Sequence, residues 1–328
     1  MKNHYISYSA PASLMLFGEH AALYGYPAIA IAVSPRLETR LHYRADQSIK
    51  VISNIGEYST TTDDIKPSKD FSYIVEILKQ YNKSFNHGFE LEIISEIPPD
   101  MGLGSSAATT LTVLSCICDM LNETYNHIDL LQKAVKIIRS VQGRGSGTDL
   151  ATSLYGGIIY YQPSSLYVEK LPCDIDISVI FTGYKTPTAE VIERIHNLSN
   201  IDNSTIWYKM GHSTELAKQA LITSDNNQLQ REIITQQQLL KKIGVSDDVI
   251  DEIVDIISID PNILAAKISG AGLGDCVIGF GKLTKQTTKE LTLKLPDTKL
   301  LNISHDKLGL LNSFKQREEL SKSYNQAK

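Results

Sequence analysis

Pro98-Pro99-Asp100-Met101-Gly102-Leu103-Gly104-Ser105-Ser106-Ala107-Ala108 is the stretch on which the fold turns. It follows a strand-like run, Phe89 to Ile94, and leads into an apolar segment of helical period from Thr109 to Leu121. Two glycines and two serines at a helix start offer bare backbone N–H groups, short hydroxyls and the positive end of the helix dipole. That arrangement suits a phosphate and its metal ion. A glycine turn before a serine-capped helix reads the same way, and this segment alone leaves the two readings level.

The other glycines tip the balance. The chain has 20 glycines in 328 residues, and half of them fall in three windows. These are Gly102 and Gly104; Gly143, Gly145, Gly147, Gly156 and Gly157; and Gly270, Gly272 and Gly274. Ordering a glycine costs conformational entropy, so clusters point to backbone brought close to a ligand at several places.

Composition narrows the class. With 42% hydrophobic and 21% charged residues, the chain is an ordinary globular one, long enough for one large domain or two of usual size. A net charge of -5 leaves no basic nucleic-acid footprint. No apolar run is long enough to span a bilayer, and Met1 to Ile6 lacks a signal-peptide core, so a cytoplasmic protein is expected. Cys116, Cys118, Cys173 and Cys276 show no zinc-ligand spacing and read as free thiols in a reducing compartment.

Strands are expected at Tyr5 to Ser9, Pro27 to Val33, Thr39 to Tyr43, Phe89 to Ile94 and Gly157 to Tyr161. Helices are expected at Ser72 to Tyr81, Ser106 to Leu121 and Asp129 to Val141. Further strands fall at Leu166 to Leu171 and Ile175 to Phe181. Pro187 to Ile257 is helical with breaks near Asn200, Asn226 and Gly244. Ala265 to Ser269, Cys276 to Phe280 and Lys299 to Ile303 close the pattern, and the polar tail after Asn312 reads as a frayed helix or disorder. The grouping is that of a two-lobed α+β protein, with lobes at 1–173 and 174–328 meeting near Cys173.

Two nucleotide signatures fail. No Walker-type G-x-x-x-x-G-K-[ST] occurs. Gly102 to Ala107 loosely fits the dinucleotide fingerprint, but a Pro-Pro pair precedes it and a second helix, not a strand, follows. The loop instead resembles the phosphate loop of the GHMP small-molecule kinases. Ser9-Ala10-Pro11-Ala12-Ser13-Leu14-Met15-Leu16-Phe17-Gly18-Glu19-His20 resembles that family's N-terminal substrate segment. Lys267-Ile268-Ser269-Gly270-Ala271-Gly272-Leu273-Gly274-Asp275-Cys276 resembles its C-terminal glycine loop. Gly18 to Ala30 is most similar to the mevalonate kinase branch.

The resemblance implies an N-terminal lobe like domain 2 of ribosomal protein S5 and a ferredoxin-like C-terminal lobe. It implies ATP and Mg²⁺, a small-molecule acceptor such as mevalonate, and a homodimer. Gly102, Leu103, Gly104, Ser105, Ser106 and Ala107 would wrap the nucleotide phosphates, with the Ser106 hydroxyl on Mg²⁺. Gly270, Ala271 and Gly272 would close over the phosphates or the substrate from the second lobe. Asp149, in Gly143-Arg144-Gly145-Ser146-Gly147-Thr148-Asp149, matches the aspartate that orients or deprotonates the attacking hydroxyl; taken by itself the loop reads as an aspartate capping the helix that follows. Glu19 and His20 would hold the hydroxyl and carboxylate of a hydroxy acid.

The chain also departs from the family. Ser13 stands where mevalonate kinases carry a lysine, and Ile138 where relatives often place an acidic metal ligand. Thr182-Gly183-Tyr184-Lys185-Thr186-Pro187-Thr188 occupies a family substrate loop, so Lys185 either replaces the missing cation or is a solvated loop lysine, with Tyr184 and Thr186 expected at the substrate. Asp275 stands where relatives often have glycine. Phosphomevalonate as acceptor, or a ligand sensor without turnover, are the rival expectations.

Overall fold

The computed structural model describes residues 5–197 and 203–312. Its first half runs β1 (Tyr5–Phe17), β2 (Ala28–Tyr43), β3 (Ser48–Ser53), β4 (Gly56–Thr61), α1 (Ser72–Tyr81) and β5 (Phe89–Ser95). Then come α2 (Ser105–Met120), α3 (His127–Gln142), α4 (Thr148–Tyr155), β6 (Ile158–Gln162) and β7 (Tyr167–Lys170). The second half runs β8 (Ile177–Lys185), α5 (Thr188–Asn197), α6 (Asn203–Thr223), α7 (Asn226–Lys242) and α8 (Asp248–Ser258). It closes with β9 (Ile263–Ser269), β10 (Gly274–Gly281), α9 (Lys285–Lys294), β11 (Lys299–Leu301) and β12 (Leu311–Asn312). The expected break near Asn200 and the tail after Asn312 lie outside the described residues.

One sheet has the order β12-β1-β2-β5-β3-β4, with β6 on β2 and β7 on β6. Among the described residues only β3 and β5 pair in parallel. The other sheet is antiparallel, in the order β11-β8-β10-β9. Counted along the chain its strands lie 4-1-3-2, the ferredoxin-like arrangement expected for the second lobe. The last strand, β12, leaves that lobe and pairs with β1, so a division at Cys173 leaves residues 311–312 with the first sheet.

Two strands are longer than the sequence reading has them. β1 runs on from Ser9 to Phe17, and β2 is continuous across the gap between Val33 and Thr39. The small residues Ala10, Ala12 and Ser13 carry no β-branched signal, yet Ala10, Ala12, Leu14 and Leu16 are at most 1% exposed. Both strands hold a proline where the register slips, at Pro11 and at Pro35, because proline cannot donate to the ladder. The hairpin β3–β4 is absent from the sequence reading. In it Ile49 and Val51 are fully buried on either side of the half-exposed Lys50, a period-two pattern only six residues long.

Helix α2 is the spine of the first lobe. Every residue from Thr110 to Cys118 is buried, against β1 and β2 on one side and α1, α3 and α4 on the others. A helix apolar on all faces is stable only when enclosed, so its N-terminus is held rigidly where the phosphate loop ends. The second lobe packs Val191, Trp207, Met210, Ile253 and Ile257 over Ile268 and Val277.

Candidate active site

The phosphate loop is built on left-handed backbone. Asp100, Gly102 and Gly104 have φ of 59°, 70° and 69°. Gly104 is the N-cap of α2, and no side chain caps that terminus, so its dipole end faces outward unshielded. The loop is tied to β1 by the Ser13 amide, which donates to the Leu103 carbonyl at 3.1 Å. A Cβ on Gly104 would stand 2.1 Å from Ser13 Oγ, and one on Gly102 would stand 2.8 Å from Asp275 Oδ1. Only glycine lets the loop pass between those two side chains.

Asp149 lies in the first turn of α4 but does not cap it; the N-cap is Gly147, with no side-chain bond. Its Oδ1 instead accepts from Ser13 Oγ at 2.9 Å, across the cleft floor. The carboxylate is exposed to the cleft yet set deep among protein atoms. That surrounding mass raises its pKa, while the Ser13 hydroxyl and Lys185 pull it down and Asp275 opposes them. Lys185, at the end of β8, extends its Nζ to within 3.4 Å of Asp275 Oδ1. Asp275 is buried at the start of β10 and accepts from the Ala271 amide at 3.3 Å.

The lobes are joined beside this floor. Lys267 and Glu19 form an ion pair in which both side chains are at most 1% exposed. Burial lowers the Lys267 pKa, and Glu19 opposes that shift. His20 Nε2 lies 2.8 Å from the Ala271 carbonyl, so that nitrogen carries the proton. Burial draws the imidazole pKa down to about 4, against the raising effect of that carbonyl. Ser269 Oγ donates to the Met15 carbonyl at 2.9 Å, and Cys276 Sγ lies 3.2 Å from the Met101 carbonyl.

Comparison with known proteins agrees with this layout. Residues 72–157 match the GHMP kinases N terminal domain, and residues 217–290 match the GHMP kinases C terminal domain. A mevalonate kinase of Thermococcus onnurineus is 30% identical over 82% of this chain and 87% of its own length. The chain belongs to the GHMP kinase family. A mevalonate kinase of Thermococcus sibiricus is 29% identical, covering 88% of this chain and 92% of its own. The crystal structure of the Methanococcus jannaschii mevalonate kinase superposes with a TM-score of 0.75 at 24% identity, over 93% of this chain and 99% of that one.

In this GHMP kinase the three glycine windows converge on one cleft of about 630 Å³, within the range of small-ligand sites. Gly102, Leu103, Gly104, Ser105, Ser106 and Ala107 line it, with Asp149, Lys185, Glu19, His20, Gly270 and Ala271. Three expected residues are not brought there. Gly272 is buried beside Val245, whose carbonyl accepts from the Leu273 amide at 2.8 Å. Tyr184 turns outward to Asp247, 2.6 Å away, and Thr186 bonds the Leu273 carbonyl at 2.6 Å. Both belong to the strap that carries Lys185, and neither lines the cleft.

Two participants were missed or left without a role. The sequence marks Ser13 only as a lost lysine, whereas its bond to Asp149 joins residues 136 positions apart. Asp275 carried no local signal beyond standing among glycines. The far end of the cleft, lined by Ile55, Phe71, Tyr73, Ile74 and Pro98, depends on the hairpin β3–β4 that the sequence reading lacks.

Among the described residues no three His, Cys, Asp or Glu side chains converge as a metal cage, and Ile138 is 7% exposed in the cleft wall. Ser106 offers a single hydroxyl at the start of α2. That donor set fits a cation held mainly by nucleotide phosphates and water, as Mg²⁺ commonly is. No described helix is long and apolar enough to cross a membrane.

Proposed function

We propose that this kinase transfers the terminal phosphoryl group of ATP to the hydroxyl of mevalonate, giving 5-phosphomevalonate. The observation that carries the reading is the Asp149 carboxylate, held by Ser13 under a phosphate loop that ends in an uncapped helix. The loop amides and the α2 dipole cradle the phosphates. The acceptor hydroxyl lies between Asp149 and the terminal phosphorus. As the new O–P bond forms and the bond to the leaving ADP oxygen breaks, Asp149 accepts the hydroxyl proton. Lys185 supplies the positive charge that a lysine at position 13 would give, and steadies the charge on the transferring group. Ser106 would ligate Mg²⁺, which when bound neutralises charge on the phosphates.

Glu19 and His20 form the acceptor wall, and Glu19 Oε2 has no hydrogen-bond partner within the protein. The apolar far end, with Ile55, Phe71 and Ile74, suits the adenine. The charge census favours mevalonate over phosphomevalonate. Lys185 is the one lysine or arginine among the described lining residues, against Glu19, Asp70, Asp100, Asp149 and Asp275. Arg139, a candidate for a second phosphate, donates instead to the Gly145 carbonyl at 3.0 Å. The four free cysteines agree with a reducing cytoplasmic setting.

ADP release should be followed with ATP, Mg²⁺ and, in turn, mevalonate, phosphomevalonate and galactose. Turnover with mevalonate alone is the expected result. Preference for phosphomevalonate would reassign the acceptor, and ATP binding without ADP release from any of them would favour a sensor.

A further inference from the structure

Asp275 occupies costly backbone. Its φ is 59°, a left-handed conformation that glycine adopts freely and aspartate does not. The ladder is broken there too. Gly274 pairs with Lys185 and Cys276 with Phe181, so Thr182, Gly183 and Tyr184 of β8 stand opposite Asp275 alone. Such irregularities re-aim side chains next to functional sites. Thr182 Oγ1 fastens the turn by donating to the Asp275 carbonyl at 3.1 Å. The side chain is 4% exposed, and its Oδ2 accepts from the Ala271 amide. Oδ1 has no hydrogen bond, backs onto Gly102 of the phosphate loop, and faces Lys185 Nζ. A buried carboxylate oxygen left in this state is expensive unless a cation answers it.

We propose that Asp275 is a positioning residue that holds the Lys185 ammonium in the cleft, between the phosphate loop and Asp149. Lys185 is the last residue of β8, at its exposed end, and would otherwise be free to leave with the solvent-facing Tyr184. The pairing makes the second lobe deliver a cation to the first, where position 13 supplies none. Three charged or polar groups then face Asp149: Ser13 from β1, Lys185 from β8 and Asp275 from β10. Of the two charges, Lys185 weighs more on Asp149 than Asp275 does.

The role rests on the kinase reading and is tested by Asp275→Asn, which keeps the shape, the Ala271 bond and the backbone angle. Asp275→Asn and Lys185→Met should each lower kcat about tenfold or more, with the KM for ATP little changed. The double variant should be no slower than Lys185→Met, because Asp275 acts through that lysine. The acid limb of the Asp275→Asn pH profile should move up, since losing the placed lysine outweighs losing a nearby negative charge. Multiplying effects, or a limb that moves down, would overturn the role. Reductive methylation of Lys185 in the full chain, read by mass spectrometry without any acceptor, should run faster in Asp275→Asn. An unchanged labelling rate would defeat the proposal even if mevalonate proved the wrong substrate.

Discussion

At the scale of single residues, the proposed reaction turns on one carboxylate whose surroundings pull it both ways. Burial lifts the Asp149 pKa, and Ser13 and Lys185 restrain it. The proposed base works only when ionised, so kcat/KM should fall as pH drops through a value above that of a free aspartate. Ser13→Ala removes a restraint and should move that acid limb to higher pH; a limb that stays put would exclude the Ser13 bond from the working state. Asp149→Asn should lower kcat by about 10²–10⁴-fold. Nucleotide affinity and thermal unfolding measured alongside should be nearly unchanged, since the amide still accepts from Ser13.

At the scale of elements, legibility followed the density of local signal. Helix α3 announces itself through its apolar period and α2 through a long apolar run after the glycine loop, while the Asn126–Asp129 capping box starts α3 two residues before the expected Asp129. The glycine windows marked the cleft because they are sparse and ordered along the chain, whereas the role expected of Asp149 came from the family resemblance, since alone it reads as a helix cap. What stayed hidden depended on partners distant in sequence. Small residues made half of β1 look like a loop until α2 and the second lobe covered them. Ser13 owes its role to a loop ninety positions away in the chain and to α4 beyond it. Gly104→Ala probes that crossing: a methyl group would meet Ser13 Oγ at a φ of 69°. The substitution should cost about 1–3 kcal/mol in chemical denaturation and weaken ATP binding measured by calorimetry.

At the scale of the whole molecule, buried polar groups hold the lobes together. Lys267→Met would strand the Glu19 carboxylate in a dry interface and should destabilise the fold by about 3–5 kcal/mol. The double change Glu19→Gln with Lys267→Met should recover much of that loss, read as the denaturation midpoint; no recovery would show that the charge pair is not what the lysine serves. His20 adds a dependence on acid. Its folded-state pKa of about 4 lies below the free value of 6.5, so its contribution is whole above pH 6.5 and drains away towards pH 4. The loss amounts to roughly 3 kcal/mol. His20→Gln should flatten the decline in melting temperature across that window.

The homecoming of β12 to β1 has a mechanical consequence. The backbone passes from one half of the molecule to the other twice, outward after Lys170 and back before Leu311. The two crossings lie side by side, with Asp174 contacting His305 at 2.8 Å and Lys307 at 2.5 Å, so together they make one double-stranded tether. Cutting the backbone at either crossing would leave the halves joined by one strand and by the Asp174 contacts with His305 and Lys307.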